Sequence, residues 1–199
     1  MDQELNTMEY DVLTEVGNIG AGNATTALSQ MLNTKIDMHV PKVELLDFQS
    51  LAEIVGGEET LVAGIMLSLE GDIEGSMMFM LELNAAKKLV SMLLQQEPGD
   101  DFSSLENSAL SEIGNIIAGA YLSSISGLTG LNIIQSVPYL AVDMAGAILS
   151  VPAIEFGKLG DKALLIESQF ADLDVDISGY FILIPTMESY TRIMSSLGI

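Results

Sequence analysis

The sequence predicts an α+β fold: two helix–strands–helix repeats, related by a pseudo-twofold axis, sharing an antiparallel-type sheet with helices layered on it. Three observations lead there. The stretch LTEVGNIGAGNATTAL, residues 13–28, returns 97 residues later as LSEIGNIIAGAYLSSI, residues 110–125. The correspondence extends to Val40-Pro41 with Val137-Pro138, and after an insertion of seven residues it pairs Ile73 with Ile177 and Gly75 with Gly179. In both halves the later apolar runs follow one another at hairpin-like spacing, which favours antiparallel neighbours.

Each half opens with a helix. Asn6 and Ser103 stand three residues before Glu9 and Glu106, the capping-box spacing, with asparagine replacing Ser/Thr in the first copy. The first helix holds Gly17, Gly20 and Gly22, each costing about 1 kcal/mol against alanine in a helix interior. Close packing at the glycines is the expected compensation, because Gly17 and Gly114 fall on the apolar side of their helices. Strands follow, rich in Val, Ile and aromatic residues: 35–48 and 131–144, each with a proline break, then 60–71 and 74–83 in the first half and 162–170 and 174–185 in the second. Helices over 84–96 and 186–197 close the two halves. QQEPGDDFSS, residues 95–104, carries the Pro-Gly and acidic turn of a linker. One duplicated domain over residues 1–199 is therefore expected, with repeat one at 1–97 and repeat two at 98–199.

Composition narrows the function. Of 199 residues 49% are apolar and 18% charged, a globular balance, and no run of eighteen apolar residues escapes a charge or proline, so no membrane insertion is expected. The acidic start Met1-Asp2-Gln3-Glu4 and the absence of cysteine fit a cytoplasmic protein without disulfide or thiol chemistry. A formal net charge of −21, from 28 acidic and 7 basic residues, opposes a phosphate backbone, so nucleic acid is not an expected partner.

On a helical wheel Asp11, Glu15 and Asn18 fall within about 60° of one another, opposite Leu13 and Val16. Ser108, Glu112 and Asn115 repeat that stripe, backed by Leu110, Ile113 and Ile117. One such stripe is the ordinary polar side of an amphipathic helix. Asparagine is a mediocre helix former, and finding it twice, each time three residues after a glutamate, asks for a specific task.

The motif Asp/Ser-x-x-x-Glu-x-x-Asn, present as Asp11…Glu15-Val-Gly-Asn18 and Ser108…Glu112-Ile-Gly-Asn115, resembles the active-site motif of the CheC family of chemotaxis phosphatases, which includes CheX and FliY. Two motifs, the duplication and the length make the chain most similar to the CheC branch. The resemblance implies two α/β repeats sharing a sheet, and dephosphorylation of the phosphorylated response regulator CheY. It implies Glu15, Asn18, Glu112 and Asn115 as catalytic residues, with Asp11 and Ser108 supporting. The receptor deamidase CheD is a further implied partner. No cofactor of its own is expected: the regulator would bring Mg²⁺ and a lysine, leaving the phosphatase to place a water in line with phosphorus. A neutral carboxamide can accept a hydrogen bond from that water and donate one to the phosphoryl oxygens. Each glutamate suits a lysine of the partner better than a phosphoryl group. The alternative is a non-catalytic module of the flagellar-switch type that only binds a response regulator.

Other signals carry less. GNIGAG spaces its glycines unlike a dinucleotide loop and no Gly-Lys-Ser/Thr follows. DLDVDISG has Ile177 where a calcium loop needs glycine and Leu183 where it needs glutamate, and its alternation suits a half-exposed strand. His39, the one histidine, lacks company for a zinc site or a serine hydrolase and is expected to be structural. The twelve methionines suit adaptable core filling.

Overall fold

A computed structural model describes residues 6–156, 162–172 and 175–199. The chain runs α1 (Thr7–Leu32), β1 (Asp37–Asp47), α2 (Phe48–Ile54), β2 (Leu61–Gly71), β3 (Gly75–Glu82) and α3 (Leu83–Leu94). It continues α4 (Ser104–Thr129), β4 (Ile133–Gln135), β5 (Tyr139–Met144), α5 (Ala145–Phe156), β6 (Lys162–Asp172), β7 (Val175–Pro185) and α6 (Met187–Leu197). All seven strands join one sheet in the order β1-β6-β7-β3-β2-β4, with β5 also on β2, and every pairing is antiparallel. β3 and β7 meet at the centre, with Phe79 facing Phe181.

Both Val-Pro pairs disturb an outer strand, since proline has no N–H to give the ladder. The β1–β6 register shifts between His39 and Lys42. On the other edge β4 stops at Gln135 and β5 starts at Tyr139, on either side of Val137-Pro138.

The sheet is covered on both faces. Leu13, Val16 and Leu28 of α1 and Leu110, Ile113, Ile117 and Tyr121 of α4 pack with Ile65, Phe79, Phe181 and residues of α3 and α6. On the opposite face Leu51 of α2 and Ala145 and Leu149 of α5 cover Met78, Met80, Leu165 and Ile182. β3 is consequently buried along both faces from Gly75 to Leu81, as a central strand between two helical layers must be. Met77, Met78, Met80 and Met194 are buried, as core filling expects, whereas Met8, Met144 and Met187 are exposed.

The strands and the four helices α1, α3, α4 and α6 lie where the sequence places them within a few residues. Helices α2 and α5 are additions to the helix–strands–helix expectation. α2 has only seven residues, too short for a periodic signal. α5 is apolar nearly all round and contains Pro152, so it lacks a polar stripe to announce it. The His39 side chain lies outside the described residues, as do those of the DLDVDISG run, whose backbone pairs Asp172 of β6 with Val175 of β7.

Candidate functional site

α1 and α4 are capped as their sequences require. Asn6 Oδ1 accepts from the backbone N–H groups of Met8 and Glu9 at 2.9 and 3.0 Å, and Glu9 Oε2 accepts from Asn6 N–H at 2.7 Å. Ser103 Oγ accepts from Glu106 N–H at 3.4 Å, and Glu106 Oε2 accepts from Ser103 N–H at 2.6 Å. Hydrogen bonding of the Glu106 carboxylate by the Ser103 side chain first, and by the Ser103 backbone N–H second, holds that carboxyl below its ordinary value.

The two long helices pack on each other with glycine at the closest points. A Cβ on Gly20 would overlap the ring of Tyr121, which is fully buried and stacked on Phe181 at 4.3 Å. The Ser124 hydroxyl lies within donating distance of Tyr121 O at 2.7 Å and Val16 O at 3.2 Å, tying α4 to α1. Contacts pair Val16 with Ser124 and Gly20 with Tyr121, so the helices cross in opposite directions. Gly17 and Gly114 bring the helices onto the sheet: Cβ atoms there would stand 3.3 Å from Val40 and Ile166, and 2.7 Å from Ile65, respectively.

This packing turns the polar stripes outward. Asp11, Glu15 and Asn18 are exposed on α1, and Ser108 and Glu112 are exposed on α4. Ser108 Oγ donates to Ser104 O at 2.9 Å, a bond back into its own helix. Among the described residues the Asn18 carboxamide has no hydrogen-bond partner. Asn115 differs: it is half-buried, and its Oδ1 accepts from Gln135 Nε2 at 2.8 Å.

The second stripe borders an open groove of about 1030 Å³. Ser108, Ser111, Glu112 and Asn115 form one wall; Val137, Pro138, Leu140 and Val142 form another; Asp100 and Asp101 of the linker stand at its rim. An acidic and amide-bearing wall facing an apolar one can seat a protein surface that brings a cation with it. Among the described residues no three of His, Asp and Glu come together to hold a metal ion, and no helix is long and apolar enough to cross a membrane.

Sequence reasoning missed Gln135 and the Val137–Val142 wall. No signal marked Gln135, because the position that corresponds to it in the first half is Met38; the repeat that exposed the other site residues is silent there.

Residues 8–45 match the model of the CheC-like family, and residues 63–153 match that of the chemotaxis phosphatase CheX. The CheY-P phosphatase CheC of Bacillus subtilis is 36% identical over 198 residues, covering 96% of this chain and 94% of that protein. Among solved structures, Thermotoga maritima FliY superimposes with a TM-score of 0.78 at 18% identity, covering 98% of each chain. The CheX–CheY–BeF3–Mg²⁺ complex from Borrelia burgdorferi gives a TM-score of 0.51 at 20% identity, over 83% of this chain and 95% of that one. At such identities the structural likeness establishes the shared fold.

Proposed function

The chain belongs to the CheC family of chemotaxis proteins, and on that premise we propose that it is a phosphatase of the phosphorylated response regulator CheY, acting through two asparagine-bearing sites. The observation that carries the reading is Glu-x-x-Asn occurring twice on outward faces of the two crossing helices, Glu15 with Asn18 and Glu112 with Asn115. The 36%-identical relative, itself a CheY-P phosphatase, supports the activity. The CheX–CheY complex, formed by a protein of the same fold, supports the partner.

In the proposed step, water attacks the phosphorus of the regulator's aspartyl phosphate. The P–O bond to the aspartate breaks, releasing inorganic phosphate and a free carboxylate. Asn18 or Asn115 accepts a hydrogen bond from the water through Oδ1 and donates through Nδ2 to a phosphoryl oxygen, holding the water in line without adding negative charge. Glu15 and Glu112, one turn earlier on the same faces, pair with a lysine of the regulator and set the docking register. Asp11 and Ser108 support from one turn further back. Mg²⁺ belongs to the regulator and neutralises the charge developing on the phosphoryl oxygens.

The same reading takes residues 1–97 and 98–199 as two repeats of one duplicated domain. Its support is the recurrence of strand and helix order on either side of the linker, and a sheet whose centre joins β3 of one half to β7 of the other. A cytoplasmic location and the deamidase CheD as a second partner complete the proposal.

Phosphate release from the phosphorylated regulator tests it. Replacing both Asn18 and Asn115 with alanine should abolish nearly all acceleration while binding of the regulator persists; either single variant should keep the other site's share. A double variant releasing phosphate at the wild-type rate overturns the chemistry. Wild-type protein that binds the regulator without accelerating release establishes the binding-only module instead.

A further inference from the structure

The Asn115 carboxamide has a neighbour that Asn18 lacks among the described residues. Gln135 ends β4, where its backbone faces Leu69 of β2. The next residue is fastened twice to the same strand: Ser136 N–H donates to Ser68 O at 3.0 Å, and Ser136 Oγ accepts from Ser68 N–H at 3.0 Å. The Gln135 side chain therefore springs from an anchored backbone, and its Nε2 donates to Asn115 Oδ1 at 2.8 Å. Gly119 is one turn beyond Asn115, and a Cβ there would stand 4.0 Å from Gln135 Oε1. At Gly22, which corresponds to Gly119 in α1, no atom lies within that range. Asn115 lines the groove beside Glu112, while Gln135 lines a neighbouring depression of about 480 Å³, so the amide pair stands between the two.

A carboxamide has nearly the same shape in its two flipped orientations, which exchange the acceptor for the donor. A water-positioning asparagine needs one of them. Gln135 Nε2 donates here, which goes with Oδ1 toward β4 and Nδ2 toward the groove; with both amides turned the same bond forms in reverse, so what the contact holds is the position of the Asn115 side chain. It takes one lone pair of Oδ1 and leaves the second for water. An ordinary hydrogen bond favours the held position of the side chain by about twofold to tenfold, and a preset side chain loses less freedom on reaching the reactive geometry. We propose that Gln135 is the positioning residue of the second site, fixing the Asn115 carboxamide from the sheet edge. This rests on the phosphatase reading above.

The test uses the Asn18→Ala protein, in which the second site works alone. Gln135→Met keeps the length of the side chain and removes its donor. It should lower kcat for phosphate release from the phosphorylated regulator by about twofold to tenfold and leave KM unchanged, because the docking glutamate is untouched. In the Asn115→Ala protein the same substitution should cost nothing further, since no carboxamide remains to be held. An unchanged kcat in the first background, or an equal loss in both, overturns the assignment. Failure of the phosphatase reading shows separately, as wild-type protein that binds the regulator without accelerating phosphate release.

Discussion

Gly17, Gly20 and Gly114 of the two long helices are packing residues, and each has a distinct contact to show for it. At Gly114 an added methyl would press on Ile65, whose side chain is fully buried beneath the helix. Gly114→Ala should therefore lower the stability by about 1–3 kcal/mol, as overpacking of a filled core does, seen as a lower urea midpoint at constant m. Gly22 is exposed with no atom near its missing Cβ. There Gly22→Ala should raise stability, by up to about 1 kcal/mol, through helix propensity alone. The same pair of measurements on one helix separates close approach from propensity. Glutamate substitutions belong with the chemistry: Glu15→Ala plus Glu112→Ala should raise KM for the regulator before kcat falls, which a titration of the rate against regulator concentration resolves.

Helix α4 owes its start to a reciprocal cap whose strength depends on pH. With the folded Glu106 carboxyl held below its ordinary value by Ser103, its contribution is present above the unfolded carboxylate value, about 4.3, and is lost as pH falls through the lower folded value. Wild type and Glu106→Gln should differ in urea midpoint at pH 7 and converge towards pH 3; a difference that persists at pH 3 would remove the carboxylate from the explanation. Ser103→Ala should cost about 1 kcal/mol at pH 7, the usual value of an N-cap hydroxyl. These caps were legible in the sequence because the box is a local pattern with fixed spacing. The short α2 and the apolar α5 were not, because what makes them helices is the far face of the sheet they cover rather than any periodicity of their own.

Across the whole molecule a net charge of −21 would, on the proposed function, steer the encounter with any basic patch of the regulator. The association rate should fall as salt is raised from low to physiological ionic strength, and stopped-flow measurement at two salt concentrations checks it. Charge, the capping boxes, the strand runs and both Glu-x-x-Asn stripes were available from residue order alone, since each depends on composition or on spacings that span a turn or a strand. Burial of Gly17 and Gly114 also followed from the wheel. The identity of what they press against did not: Val40 with Ile166, and Ile65, come from strands distant in sequence. Likewise the opposed crossing of α1 and α4 depends on Tyr121 entering the space left at Gly20, a contact across 101 residues. The difference between the two asparagines, one exposed and one held by Gln135 at 2.8 Å, arises because β4 pairs with the far end of β2 and ends beside α4. Local spacing determines which side chains share a face; pairing of distant strands determines what those side chains meet.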